Sequence, residues 1–256
     1  MNDKQNYTSR KFWLALLLIA ALSCVAIPLL LTLRESAEEV AQPRSDKKNN
    51  NSKSPRIPAS FKSLANEHFR VYYHQQLPAE EVAKVMQLLE KAQADFAQRF
   101  DDVARLEAMP RVEVIFYETT GDFTGTTGQS VWVSGVTTGA LIELQPLLVL
   151  KQRGLLEAVL RHEYAHAVIE SLKTASVARW ISEGLALQFS GEGASLKANP
   201  KLNNLTAAEL DERLEHIKSA NEQLELYAEA YRRVSQLEQN GAETNTWRIA
   251  LNGTSK

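Results

Sequence analysis

Residues 155–172 read LLEAVLRHEYAHAVIESL and residues 179–186 read RWISEGLA, and these two stretches set both the fold and the chemistry of the chain. In the first, apolar residues recur at helical spacing, and His162 and His166 stand four apart. Residues four apart share one helix face, about 6 Å apart along the axis, so the two imidazoles can converge on one ion at ~2.0–2.1 Å. Glu163 precedes His166 by three positions and lies beside that ion without having to ligate it. A base that takes a proton from water at the ion has to stand there.

Two ligands do not complete a catalytic zinc site; a third protein ligand and an open position are needed. Glu183 is the candidate. The stretch 173–178, with lysine, threonine and serine, turns the chain back, and a second helix follows on which Trp180, Glu183, Gly184 and Leu187 share a face. Glycine inside a helix costs about 1 kcal/mol relative to alanine, so Gly184 is expected to let this helix approach the first one closely. With five histidines and one cysteine, Cys24, the chain has neither a disulfide framework nor a thiolate metal site, and a bound metal must rely on histidine and carboxylate.

Outward from these helices the pattern changes. Phe69 to Tyr73 (FRVYY) reads as a short strand, and Pro78 opens a helix whose apolar residues Val82, Val85, Met86, Leu89, Phe96 and Phe100 follow helical spacing. Arg111 to Tyr117 alternates as a strand does. The Gly/Thr-rich stretch from Gly121 to Gly128 is expected to be a loop, with strands at Val131–Val133 and Ala140–Leu144 hinged at Gly135 and Gly139. From about Gly154 onward everything reads helical, and Thr206-Ala207-Ala208-Glu209 is a capping box. Strands first and helices afterwards predict an α+β domain with a small N-terminal sheet and a helical C-terminal part, and not a βαβ alternation.

The N-terminal region is of another kind. Residues 1–11 form a short tail, and Phe12 to Leu33 runs without a charge for long enough to span the ~30 Å hydrocarbon core as a helix. Ala21-Leu22-Ser23-Cys24 has some likeness to a lipoprotein cleavage site, but the apolar run continues beyond it, which favours an uncleaved transmembrane anchor. Lys4, Arg10 and Lys11 precede the span, while Arg34, Arg44, Lys47 and Lys48 follow it, so charge alone does not orient it. The short tail places the C-terminal portion outside the cytoplasm, as a single-pass membrane protein. Residues 34–60 are polar with scattered prolines and read as a flexible linker, which leaves 61–256 as the folded domain. A net charge of -2 gives no pull toward nucleic acid.

HEYAH followed by WISEGLA resembles the gluzincin metallopeptidases, and specifically the compact bacterial peptidase MA-like domains. The resemblance extends to Glu67–Tyr73, which is similar to that family's opening strand, and to Tyr227–Tyr231, which is similar to a later helix. It covers roughly residues 61–253, with its specificity concentrated at 162–186. It implies a zincin fold, a peptide substrate and an edge strand above the metal that pairs with that peptide; Gly139 to Leu144 is the expected strand. It also implies a hydrogen-bond donor for the oxyanion, for which Tyr227 is the first candidate and Tyr231 and His216 are the others. One departure is plain: where larger gluzincins carry an acid a turn after the third ligand, this chain has Leu187.

The residues and the resemblance together predict a zinc-dependent, membrane-anchored peptidase with Glu163 as base, Tyr227 as oxyanion donor, and His162, His166 and Glu183 as ligands. The alternatives are an inactive metal-binding or scaffolding domain on a membrane tether, and a non-peptide hydrolase on the same fold. Glu170, four residues after His166, reads as a solvated helix residue, and His68 and His74 read as surface or structural.

Overall fold

Buried Phe69, Val71 and Tyr73 alternate with half-buried Arg70, Tyr72 and His74, the two-residue period of a strand with one face on the core. This is β2 (Phe69–His74), which pairs antiparallel with β1 (Phe61–Ala65). Asn66 closes the hairpin, its side-chain oxygen accepting from the backbone N–H groups of His68 and Phe69 at 3.1 and 2.8 Å. The computed structural model describes residues 57–100, 103–239 and 243–252. The anchor expected at 12–33, the tail before it and most of the expected linker lie outside the described residues. Among the described residues no helix is long and apolar enough to cross a membrane.

From β2 the chain passes through α1 (Ala79–Phe100) to β3 (Val112–Phe116), which lies parallel to β2. After α2 (Thr120–Thr127) come β4 (Gly135–Thr138) and β5 (Leu141–Leu144), joined by a turn at Gly139 with φ of 60°. β5 pairs parallel with β3 and antiparallel with β4, so the order is β1-β2-β3-β5-β4. The domain is α+β, a mixed five-stranded sheet followed by helices. Within the sheet, however, β2-α1-β3 is a crossover between parallel strands, which the sequence pattern did not predict.

Three further expectations are corrected here. The stretch 121–128 is helix and not loop: Thr119 and Asp122 form a reciprocal capping box, Phe123 is buried, and Gly128 ends the helix in the left-handed conformation. Residues 131–133 form a turn, and the strand begins at Gly135. The strand at Gly139–Leu144 is interior, with partners on both sides, so the edge on this side of the sheet is β4, the opposite edge being β1.

The helical part comprises α3 (Leu147–Gln152), α4 (Leu156–Leu172), α5 (Arg179–Ser190), α6 (Ala207–Glu215), α7 (Ala220–Gln239) and α8 (Glu243–Asn252). Aromatic rings lock α1, α4, α5 and α8 together. Phe96 of α1 meets Trp247 edge-on at 4.8 Å and Phe189 at 5.2 Å, and Tyr164 of α4 lies 6.2 Å from it. The turn between α4 and α5 is tied to the end of α8, because the Thr174 backbone N–H and hydroxyl both donate to the Leu251 carbonyl, at 2.8 and 3.2 Å. Asp211 of α6 caps α5 by accepting from the Trp180 N–H at 2.8 Å.

Gly184 serves a different neighbour from the one expected. A Cβ there would stand 2.7 Å from the Ala230 carbonyl and run into Val234, so the close approach is between α5 and α7 and not between α5 and α4. The inward face of α7 carries Leu226, Ala230 and Val234, all buried, while Leu224 is exposed.

Candidate metal centre

α4 is buried on nearly every side, with Leu160, Tyr164, Ala165, Val168 and Ile169 fully within the core. Placing His162 and Glu163 in such a helix costs free energy unless polar partners or an ion receive them. The partners converge from α5. Glu183 Oε2 stands 3.5 Å from His162 Nε2 and 3.5 Å from His166 Nε2, and the two Nε2 atoms are 3.1 Å apart.

That triangle has the dimensions of a coordination face. Ligands about 2.05 Å from a tetrahedral ion lie about 3.3 Å from one another, which the three observed edges bracket. Glu183 is 5% exposed, and no hydrogen bond reaches its Oε2. A buried carboxylate oxygen aimed between two imidazole nitrogens and otherwise unsatisfied fits a cation, so His162, His166 and Glu183 form a group that could hold a metal ion.

The outer nitrogens of both rings face oxygens. His166 Nδ1 lies 3.0 Å from Ser182 Oγ, and His162 Nδ1 lies 3.4 Å from Glu192 Oε2. The second distance is an ion-pair contact and not a formed hydrogen bond, since no hydrogen bond reaches that nitrogen. With protons on Nδ1 directed at these oxygens, both Nε2 lone pairs point inward. Leu187, the position without an acid, is buried in the core, and Glu192 just beyond α5 supplies the carboxylate instead. Ser190 steadies Glu192 by donating its hydroxyl to Oε2 at 2.9 Å.

Electrostatics follow from this crowding. Burial disfavours a charged His162, but the Glu183 and Glu192 carboxylates outweigh it and hold the ring well above its ordinary value. Glu183 is likewise pushed up by burial, and the two imidazoles overcome this to hold it well below the usual carboxylate range. Glu192 is lowered as well, burial opposing and His162 prevailing.

Glu163 is 6% exposed and fixed from the sheet. The Thr137 hydroxyl on β4 stands 2.7 Å from its Oε2 and 3.2 Å from its backbone carbonyl. Gly135 makes room for it, since a Cβ at that position would stand 2.9 Å from Glu163 Oε1.

The triangle opens on a cavity of about 440 Å³. Trp132, Val133, Gly135, Val136 and Thr137 line it from the sheet side, and Leu214, Ile217, Gln223 and Tyr227 from the helical side. The Tyr227 ring stacks near His162, with centroids 6.1 Å apart and planes 15° from parallel. Burial first, and the Glu183 charge second, raise its phenol well above the ordinary value, which keeps it a donor. Tyr231 packs instead over Gly193, and exposed His216 turns back to the Glu212 carbonyl at 2.9 Å; neither lines the cavity. Glu170 is exposed and paired with Lys173 at 2.7 Å, and His68 and His74 stand away from the cavity.

Thr137, Ser182 and Glu192 were not singled out from the sequence. Ser182 adjoins Glu183 and was within reach of helical geometry. Thr137 and Glu192 reach the site through tertiary packing, and no local pattern marks them. No family model matches the chain, and no curated protein matches it.

Proposed function

We propose that the chain is a zinc-dependent hydrolase that cleaves peptide bonds, with His162, His166 and Glu183 as ligands. The observation that carries this reading is the buried triangle with Glu163 beside it. Two imidazoles, one carboxylate, no thiolate and an open side on a cavity form the donor set of a catalytic zinc site. A divalent ion held there supplies Lewis-acid polarisation of a carbonyl and of water. Glu163 accepts the water's proton and returns it to the leaving nitrogen, and Thr137 holds its carboxylate in place for both transfers. Tyr227, kept protonated, donates to the developing oxyanion.

The peptide assignment is favoured by β4. Among the described residues this strand pairs on one side only, and Gly135, Val136 and Thr137 line the cavity, so an extended substrate finds unpaired backbone groups next to the base. The domain is proposed to stand outside the cytoplasm on the apolar segment 12–33. Full-length chain should then stay with membranes through carbonate extraction, whereas a chain starting at residue 57 should be soluble.

Metal content and turnover test the chemistry. The purified protein should hold about one zinc per chain, and His162→Ala or Glu183→Ala should lose most of it. Glu163→Gln should keep the zinc and the fold while generic peptide cleavage falls by several orders of magnitude. Equal cleavage by Glu163→Gln and the parent would overturn the assignment of the base.

A further inference from the structure

We propose that Arg179 is the receptor for a carboxylate on the substrate, which makes the preferred substrate a peptide with a negative charge on the residue adjoining the scissile bond. The carboxylate is either the α-carboxylate of a chain end or the side chain of an acidic residue. This rests on the peptidase reading above and adds a substrate class to it.

Arg179 is the first residue of α5 and lines the metal cavity, its side chain 47% exposed. Local helix physics does not account for it. A cation in the first turn opposes the helix dipole, and an arginine four residues before a glutamate is the weaker order of such a pair. The return from Glu183 is small: Arg179 Nε stands 3.7 Å from Glu183 Oε1, beyond hydrogen-bond reach. Its terminal nitrogens meet no hydrogen-bonding partner among the described residues. A planar fork of donors without a hydrogen-bonding partner is thus carried by a residue of the cavity wall, and such a fork receives a carboxylate by two parallel hydrogen bonds.

The location fixes which substrate group is received. Glu183 presents Oε2 to the two histidines and Oε1 to Arg179, so a single carboxylate separates the guanidinium from the ligand triangle. A substrate carbonyl at that triangle leaves about one residue's length, roughly 3.5 Å of chain, to reach Arg179. Glu163, Glu183 and Glu215 also line the cavity and repel an anion, whereas Glu170 is neutralised by Lys173. An ion at the triangle offsets two of these charges, and Arg179 then supplies the specific attraction.

Binding to the zinc-loaded full chain carrying Glu163→Gln tests this without turnover. The probes are an acetylated neutral tetrapeptide with a free C-terminus, the same peptide amidated, and an amidated pair with glutamate or glutamine at the third position. At least one carboxylate peptide should bind about tenfold or more tightly than its neutral twin, and Arg179→Gln should abolish that margin. Arg179→Lys, which keeps the charge and loses the fork, should retain part of it. The C-terminal pair and the glutamate pair tell the two sources apart. Equal binding within both pairs, or a margin that survives Arg179→Gln, overturns the proposal. Loss of zinc from Arg179→Gln, with no carboxylate margin in its parent, makes Arg179 a support for Glu183 alone and also overturns it. Carboxylate-selective binding without cleavage once Glu163 is restored would sink the peptidase reading, and the substrate class with it, while Arg179 would remain a carboxylate-binding residue.

Discussion

Glu192 places Oε2 3.4 Å from His162 Nδ1, doing from beyond the end of α5 what the buried Leu187 cannot do from within it. A carboxylate behind a ligating imidazole fixes its ring and raises its basicity, and loss of such a partner costs 10–100-fold in metal affinity. Glu192→Gln is therefore expected to weaken zinc binding by about that factor in a chelator competition, with the fold intact. Unchanged affinity would assign Glu192 to the shape of the loop alone.

Tyr227 offers a separate test. If its hydroxyl serves the oxyanion, Tyr227→Phe should lower kcat by on the order of 10²–10³ while zinc content and Tm hold. A fall in Tm with kcat maintained would make it a packing residue.

Metal binding should depend on pH in a definite direction. Without an ion, Glu183 and Glu192 raise His162 above its ordinary value of 6.5, so its charged form stabilises the fold below that pH. That contribution is lost as pH rises through the raised value. An incoming cation has to displace the same proton, so zinc affinity should climb with pH and binding should release protons. Calorimetry in buffers of different ionisation enthalpy reads the proton count directly. No buffer dependence at neutral pH would mean that the ring is already neutral.

Two glycines in helices should respond oppositely to alanine. Gly184→Ala drives a methyl into the Ala230 carbonyl and Val234 and should cost about 1–3 kcal/mol. Gly125 in α2 has nothing within 4 Å of a Cβ, and Gly125→Ala should raise stability by roughly 0.5–1 kcal/mol. Thermal melts of the two variants beside the parent decide both.

The candidate ligand triangle was legible in sequence because it depends on local geometry. His162, Glu163 and His166 occupy one helix, and the following helix brings Glu183 to them. The identity of β4 was not legible, because strand order depends on pairing between distant segments, and β4 and β5 look alike as short runs. α2 was hidden by its threonines and glycines, although Thr119 with Asp122 was a readable cap. Gly184 was correctly marked as a close approach and assigned to the wrong partner: periodicity gives the face of a helix and not what covers it.

The hydrogen bonds from Thr174 to Leu251, together with Trp247 seated on Phe96, have a consequence for biosynthesis. The hairpin that carries the candidate ligands is finished by α8, not by its sequence neighbours. On the ribosome, His162, His166 and Glu183 will all have emerged well before the segment that clamps their turn has left the exit tunnel. The fully clamped arrangement of these three side chains is therefore reached only after α8 has followed them out of the ribosome.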